Sequence, residues 1–99
     1  MQINKTAQGT EMTLALEGRL DTNTSPALEK ELNGILGEVT SLIFDMASLN
    51  YVSSAGLRVL LMAQKAMNAK HGKMVIRNSN ADLMEIFDVT GFVDILNIE

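Results

Sequence analysis

Hydrophobic and polar residues alternate near the N-terminus, and this alternation predicts a pair of β-strands. In residues 11–17 every second side chain is apolar, which is typical of a strand with one buried face. Residues 2–6 alternate more weakly, and Gly9 lies between the two segments as a turn signal. The pattern therefore predicts that an antiparallel β-hairpin opens the domain.

Three later segments carry apolar residues at the spacing of amphipathic helices. The first begins at Pro26, which suits the first turn of a helix, with Ser25 as its predicted N-cap. The second extends from Ser54 to about Lys70, and the third follows Asn80, another capping residue.

Short apolar runs between these helices predict further strands at residues 42–44, 73–77 and 93–98. The predicted order is ββαβαβαβ. Because strands that alternate with helices form crossover units, we predict a single α/β domain over residues 1–99. Its sheet is mixed and mostly parallel, with an N-terminal antiparallel hairpin. Binding sites in such sheets tend to lie where strands lead into helices. The predicted loops of this kind are residues 18–25, 45–54 and 78–80.

The composition is that of a globular domain. Of the 99 residues, 46% are apolar and 20% are charged, and the longest apolar run is too short to span a bilayer. The formal charge is −4 and no basic patch is present, which argues against nucleic-acid binding. The absence of cysteine excludes disulfides and thiolate metal sites. Because the sequence has no secretory signal, we expect a cytoplasmic protein without membrane insertion.

The residues needed for most enzyme chemistry are missing. The single histidine, His71, lies roughly 25 Å from Ser54 at the far end of the predicted second helix, which excludes a Ser-His-Asp triad. No phosphate-binding glycine loop, dinucleotide fingerprint or metal-binding histidine pair occurs, so no cofactor and no metal are predicted. Asp21 and Asp45 each follow a predicted strand, and we expect both at the same end of the sheet. Two carboxylates there would allow a magnesium-dependent nucleotide hydrolase, although aspartates at such positions more often form turns.

Two adjacent serines open the second predicted helix. Ser53 or Ser54 can serve as the N-cap and accept a free backbone N–H. A phosphoryl group on a serine at this position would also be stabilised by the positive end of the helix dipole. Ala55 and Gly56 would keep the surrounding surface low enough for another protein to reach the hydroxyl. The physical pattern therefore supports a structural and a regulatory interpretation.

Residues 45–57, DMASLNYVSSAGL, resemble the signature D-L-S-x-V-x-x-I-D-S-[ST]-G-L of STAS-domain anti-sigma factor antagonists. Residues 18–21, GRLD, are similar to the family's G-x-[LI]-D segment. Residues 83–92, LMEIFDVTGF, are similar to its L-x-x-[LI]-[FL]-x-x-[ST]-G-[LF] segment. The three motifs occur in the family's order and cover almost the whole chain.

The resemblance implies a non-enzymatic protein that is phosphorylated at Ser54 by an anti-sigma factor serine kinase. The unphosphorylated form would bind that anti-sigma factor and release the sigma factor, and a phosphatase acting on phospho-Ser54 would reset the switch. This sequence differs from the family pattern at three positions. Ser53 replaces an aspartate, Ala55 replaces a second hydroxyl, and Arg58 stands where many members have a small residue.

Arg58 and Met62 share a helix face opposite much of the leucine stripe, so this face is either solvated or a partner-binding surface. The predicted partner-binding residues are Asp21, Asn23, Ser53, Gly56, Arg58 and Met62. The substitutions at residues 53 and 55 leave an alternative, in which the domain is a STAS docking subunit that is never phosphorylated, for example in a lipid-transport complex.

Overall fold

The computed structural model describes all 99 residues as one four-stranded sheet with three helices. The strands are β1 (Gln2–Gln8), β2 (Glu11–Leu20), β3 (Ser41–Val52) and β4 (Lys73–Arg77). The helices are α1 (Ser25–Ile35), α2 (Ser54–Ala69) and α3 (Ala81–Val89), followed by a 3-10 turn at Phe92–Asp94. The strands lie in the order β1-β2-β3-β4. The first pair is antiparallel and the other two pairs are parallel, which confirms the predicted fold class.

The predicted N-terminal hairpin is present. Gln8 pairs with Glu11, so only Gly9 and Thr10 form the turn between β1 and β2. Gly9 has a φ of 63°, a left-handed conformation that glycine adopts without a steric penalty.

The hydrophobic core lies on one face of the sheet and contains residues from all three helices. Alternate residues of the central strands enter it, for example Leu42, Phe44 and Met46 of β3. Ile43 and Val75 point to the opposite face and are not part of this core cluster. The helical core residues are Leu28, Leu32, Leu57, Val59, Leu60, Ala63, Met67, Leu83 and Phe87.

Strand β3 is much longer than predicted, and residues 45–52, expected as a loop, belong to it. These residues pair with the second half of β2, and two register shifts interrupt the pairing. The polar side chains at Ser48 and Asn50 suggested a loop, but they are exposed along a strand whose Leu49 and Val52 are buried. The extension carries the β3–α2 junction well beyond the carboxyl end of β4.

The N-cap of α1 is Thr24, so the prediction of Ser25 was wrong by one residue. Ser25 is the first helical residue, and its hydroxyl donates to the carbonyl of Asp21. This bond and the backbone bond from the Ser25 N–H to the same carbonyl pull Ser25 into the turn.

The strand predicted at residues 93–98 is largely absent. Gly91, with a φ of 79°, leads into the 3-10 turn, and the N–H groups of Ile95 and Leu96 both donate to the carbonyl of Phe92. These bonds coil the chain where a strand was expected. Only Ile98 pairs with β4, through a parallel bridge to Ile76.

None of the three helices combines the length and the apolar character that a bilayer crossing requires. The longest, α2, has 16 residues and ends near the predicted boundary, with Lys70 as its C-cap.

Candidate functional site

Strand β3 leads into α2 through a single residue, Ser53, which acts as the N-cap. Its backbone is extended, and its hydroxyl oxygen accepts a hydrogen bond from the Gly56 N–H at 3.3 Å. Its own N–H donates to the carbonyl of Leu20, the last residue of β2, at 2.8 Å. Ser53 therefore satisfies one of the free donors of the helix and fixes the helix end to the sheet.

Ser54 is the first residue of α2, and its side chain is exposed. The hydroxyl forms no hydrogen bond within the chain. The backbone N–H groups of Ser54 and Ala55 also have no intramolecular acceptor. The two serines therefore differ: Ser53 is used by the helix cap, and Ser54 presents a free hydroxyl at the positive end of the helix dipole.

Gly56 lies on the buried face of α2, against the ends of β2 and β3, so the prediction that it keeps the surface low beside Ser54 was wrong. A Cβ on this residue would lie 2.7 Å from Leu20 Cγ, 2.9 Å from the Leu20 carbonyl oxygen and 2.9 Å from Val52 Cγ2. The absence of a side chain lets α2 start directly against the ends of β2 and β3. Gly56 thus positions the site through packing, and its surface is not available for direct contact with a partner.

Asp21 organises the turn that follows β2, next to the β3–α2 junction. Its Oδ1 accepts hydrogen bonds from the N–H of Asn23 at 2.9 Å and from the N–H of Thr24 at 3.1 Å. The bond from the Thr24 N–H is the main cause that lowers the pKa of this carboxyl, and the nearby Arg19 guanidinium contributes. Asn23 is exposed at the tip of the turn. The carboxylate of Asp21 therefore stabilises the turn in this structure, which is the common role of an aspartate that follows a strand.

Arg19 and Tyr51 form a pair beside this turn that sequence reasoning missed. They are register partners on β2 and β3, and the guanidinium carbon lies 4.3 Å from the centre of the tyrosine ring. Arg19 Nε also lies 3.7 Å from Asp21 Oδ2. Both residues were expected in loops, so their pairing could not be predicted without the strand register.

A groove of about 280 Å³ extends from Ser54 along α2 to the end of α3. It is lined by Ser54, Leu57, Arg58, Leu61, Thr90 and Phe92. Thr90 and Phe92 were not predicted as site residues, although both lie in the third family-like motif. A smaller concavity of about 160 Å³ lies on the other side of Arg58, between α1 and α2. Met62 is half-buried one turn beyond Arg58, on the same side of α2.

Asp45 lies far from Ser54 and Asp21, so the expectation that the two aspartates share one end of the sheet was wrong. It pairs with Ala15 in the middle of β3, whereas Asp21 follows the Leu20–Val52 pair. Seven residues of strand correspond to about 20 Å. Asp45 Oδ1 instead accepts hydrogen bonds from the Ala47 N–H at 3.0 Å and Asn78 Nδ2 at 2.9 Å. This separation removes the two-carboxylate hydrolase hypothesis.

The whole domain matches one family. The STAS domain model matches residues 2–99, and the chain therefore belongs to the STAS domain family. The chain is 32% identical over 85 residues to BtrV of Bordetella bronchiseptica, which is named as an anti-sigma factor antagonist. The match covers 84% of this chain and 72% of that protein. The present chain is also 26% identical over 83 residues to the anti-sigma-B factor antagonist of Bacillus subtilis. That match covers 84% of this chain and 76% of the Bacillus subtilis protein.

The fold is also that of SpoIIAA, an anti-sigma factor antagonist of known structure. The unphosphorylated form of SpoIIAA has a TM-score of 0.80 with this chain at 17% identity, covering 99% of this chain and 87% of SpoIIAA. The phosphorylated form has a TM-score of 0.79, also at 17% identity, covering 99% and 91%. At this identity the similarity establishes the fold alone.

Proposed function

We propose that this protein is an anti-sigma factor antagonist that is switched off by phosphorylation at Ser54. The observation that carries the proposal is the free, exposed hydroxyl of Ser54 next to an N-cap that is already occupied. The anti-sigma factor antagonist names of its STAS relatives support the same function. The unphosphorylated protein binds an anti-sigma factor with serine kinase activity and thereby releases the sigma factor. This function belongs in the cytoplasm.

In the proposed switch, the kinase transfers the γ-phosphoryl group of ATP to Ser54 Oγ, and ADP and the hydroxyl proton leave. The phosphoserine adds about −1.5 to −2 charges to an exposed position. The free N–H groups of Ser54 and Ala55 and the helix dipole stabilise this charge, so the domain stays folded. A partner seated on the groove meets a new dianion, and binding is lost. A phosphatase that hydrolyses phospho-Ser54 restores the binding form.

The proposed partner surface has Ser54 at its centre. Asp21 and Asn23 lie on the side of the β2–α1 turn, and Arg58 and Met62 lie along α2. Ser53 contributes by holding the backbone of the junction. We assign Gly56 to the same supporting role because its contacts lie inside the domain.

The test is the affinity of the purified protein for its anti-sigma factor, measured by isothermal titration calorimetry without ATP. Ser54→Asp should weaken binding at least tenfold, because it places a negative charge inside the interface, whereas Ser54→Ala should bind about as well as wild type. Ser48→Asp is the matched control: it adds the same charge to an exposed serine of β3, near Asp45 and away from the groove. It should leave the affinity unchanged.

Equal affinity of wild type and Ser54→Asp, or loss of binding in Ser54→Ala, would contradict the switch. A stable complex that is insensitive to Ser54→Asp and gains no phosphate with ATP would support the alternative of a permanent docking subunit. The replacement of the family's second hydroxyl by Ala55 is the observation that favours this alternative.

A further inference from the structure

We propose that Arg58 binds the phosphate of phospho-Ser54 and is drawn across the partner groove when the phosphate is added. This inference deepens the proposed function and rests on it. It starts from the ion pairs of the chain. Arg19 lies beside Asp21 and Arg77 beside Glu99, whereas Arg58 has no carboxylate oxygen within 4.0 Å. Arg58 is thus the one arginine with an unengaged guanidinium.

The position of Arg58 suits a group attached to Ser54. The two residues are separated by four positions on α2, which places their side chains on the same face one turn apart. Arg58 and Ser54 line the same groove of about 280 Å³. Both side chains are exposed, so the arginine can change rotamer without disturbing the core.

The Arg58 side chain lies between the groove that contains Ser54 and the smaller concavity between α1 and α2, and it lines both. That concavity also contains Glu29, yet no ion pair joins the two residues. A phosphate on Ser54 carries more charge than Glu29 and offers oxygens that the guanidinium fork can bind in a bidentate manner. Phosphorylation therefore selects the Ser54 side.

This contact changes the shape of the partner surface as well as its charge. When the guanidinium moves toward Ser54, the aliphatic part of Arg58 lies over the apolar floor of the groove, which Leu57, Leu61 and Phe92 provide. The phosphorylated form then presents a partly neutralised phosphate and a covered groove. A lysine at this position would supply the charge without the planar fork.

The experiment uses full-length protein in which phosphoserine is incorporated at residue 54 during translation, so no kinase is needed. The titration of the phosphate is followed by ³¹P NMR in the wild-type sequence and in Arg58→Gln. A neighbouring cation favours the phosphate dianion, so its removal should move the titration midpoint to higher pH by about half a unit. Arg58→Lys should give a smaller shift in the same direction.

The matched control is Lys65→Gln, which removes one positive charge from the same helix but three turns from Ser54. Its midpoint should stay at the wild-type value. Equal midpoints in wild type, Arg58→Gln and Lys65→Gln would overturn the proposal. That outcome is distinct from failure of the proposed function, which would appear as unchanged partner affinity in Ser54→Asp while the phosphoserine still titrates with Arg58.

Discussion

The junctions that begin α2 and α3 use the same cap geometry but differ in the residues that follow it. Ser53 and Asn80 both have extended backbones with a ψ of 176°. The Ser53 hydroxyl accepts from the Gly56 N–H, and the Asn80 side chain accepts from the Leu83 N–H at 2.9 Å. Capping alone therefore does not distinguish a regulatory site from a structural helix start.

The difference lies in the residues beyond each cap. At α2 the first helical residue is Ser54, and Arg58 follows four positions later. At α3 the first residue is Ala81, which has no hydroxyl, and Glu85 takes the place that corresponds to Arg58. The first junction therefore has the hydroxyl and the cation that the proposed phosphorylation requires, whereas the second has no hydroxyl and carries acidic residues that would repel a phosphate. The regulatory role proposed for the first junction therefore depends on the helix positions after the cap and not on the cap itself.

The largest expected effect is on the packing beneath the first junction. Gly56→Ala should lower the free energy of unfolding by about 2 kcal/mol, because the added methyl group overlaps Leu20 and Val52. Gly34→Ala in α1 is the control. Nothing lies within 4 Å of a Cβ there, so this change should stabilise the protein by up to about 1 kcal/mol. Urea unfolding measures both values, and a Gly56→Ala protein as stable as wild type would show that the junction is not tightly packed.

The two caps should differ in strength. Ser53→Ala should cost about 1 kcal/mol of unfolding free energy, the usual value for a lost N-cap. Asn80→Ala should cost more, about 1.5 to 2 kcal/mol, because the side chain also donates to the Leu49 carbonyl at 3.3 Å. Thermal and urea unfolding of the two variants provide the comparison. If Ser53→Ala lost more unfolding free energy than Asn80→Ala, the Ser53 side chain would contribute more stability than its single hydrogen bond to the Gly56 N–H explains.

The stability that the Asp21 turn contributes beside the first junction should decrease at acidic pH. Hydrogen bonds to the Asp21 carboxylate lower its pKa in the folded state, so its contribution to stability is complete above about pH 4 and is lost as the pH falls further. In Asp21→Asn this contribution is absent at every pH. The stability difference between wild type and Asp21→Asn, measured by urea unfolding from pH 6 to pH 2, should therefore shrink toward acid. A difference that does not change with pH would contradict the role of the carboxylate charge.

The smallest effect concerns charge at the first helical residue. Ser54→Asp should stabilise the protein by about 0.5 kcal/mol through the helix dipole and Arg58. Ala81→Asp introduces the same group at α3, but it stands next to Asp82 and one turn from Glu85, and it should give no gain. Unfolding at low ionic strength resolves the two values. Equal gains would show that the dipole alone acts and that the surrounding charges do not matter.

Local features of the fold and the site could be predicted from the sequence. The cap at Ser53 or Ser54, the extent of α2 and the cap at Asn80 depend on residues within one or two turns, and the structure has the first of these caps at Ser53. Apart from the strand predicted at residues 93–98, the order of strands and helices agrees with the prediction from apolar runs and helical periodicity. The motif resemblance singles out Ser54 as the proposed phosphorylation site because the three motifs are themselves local in the sequence.

Features that depend on strand register could not be predicted. The burial of Gly56 requires the end of β2 to lie beneath α2, and the position of Asp45 requires β3 to continue for seven more residues. Phe92 reaches the groove only because Gly91 turns the chain where a strand was expected. Each of these depends on contacts between residues far apart in the sequence, which periodicity does not encode.

The central claim is that Ser54, and not the adjacent Ser53, accepts the phosphate. The most direct measurement incubates the protein with its anti-sigma factor kinase and ATP, followed by intact-mass analysis and tandem mass spectrometry of residues 45–65. Wild type and Ser53→Ala should each gain one phosphate at Ser54, and Ser54→Ala should gain none. A phosphate on Ser53, or an undiminished mass increase in Ser54→Ala, would contradict the assignment.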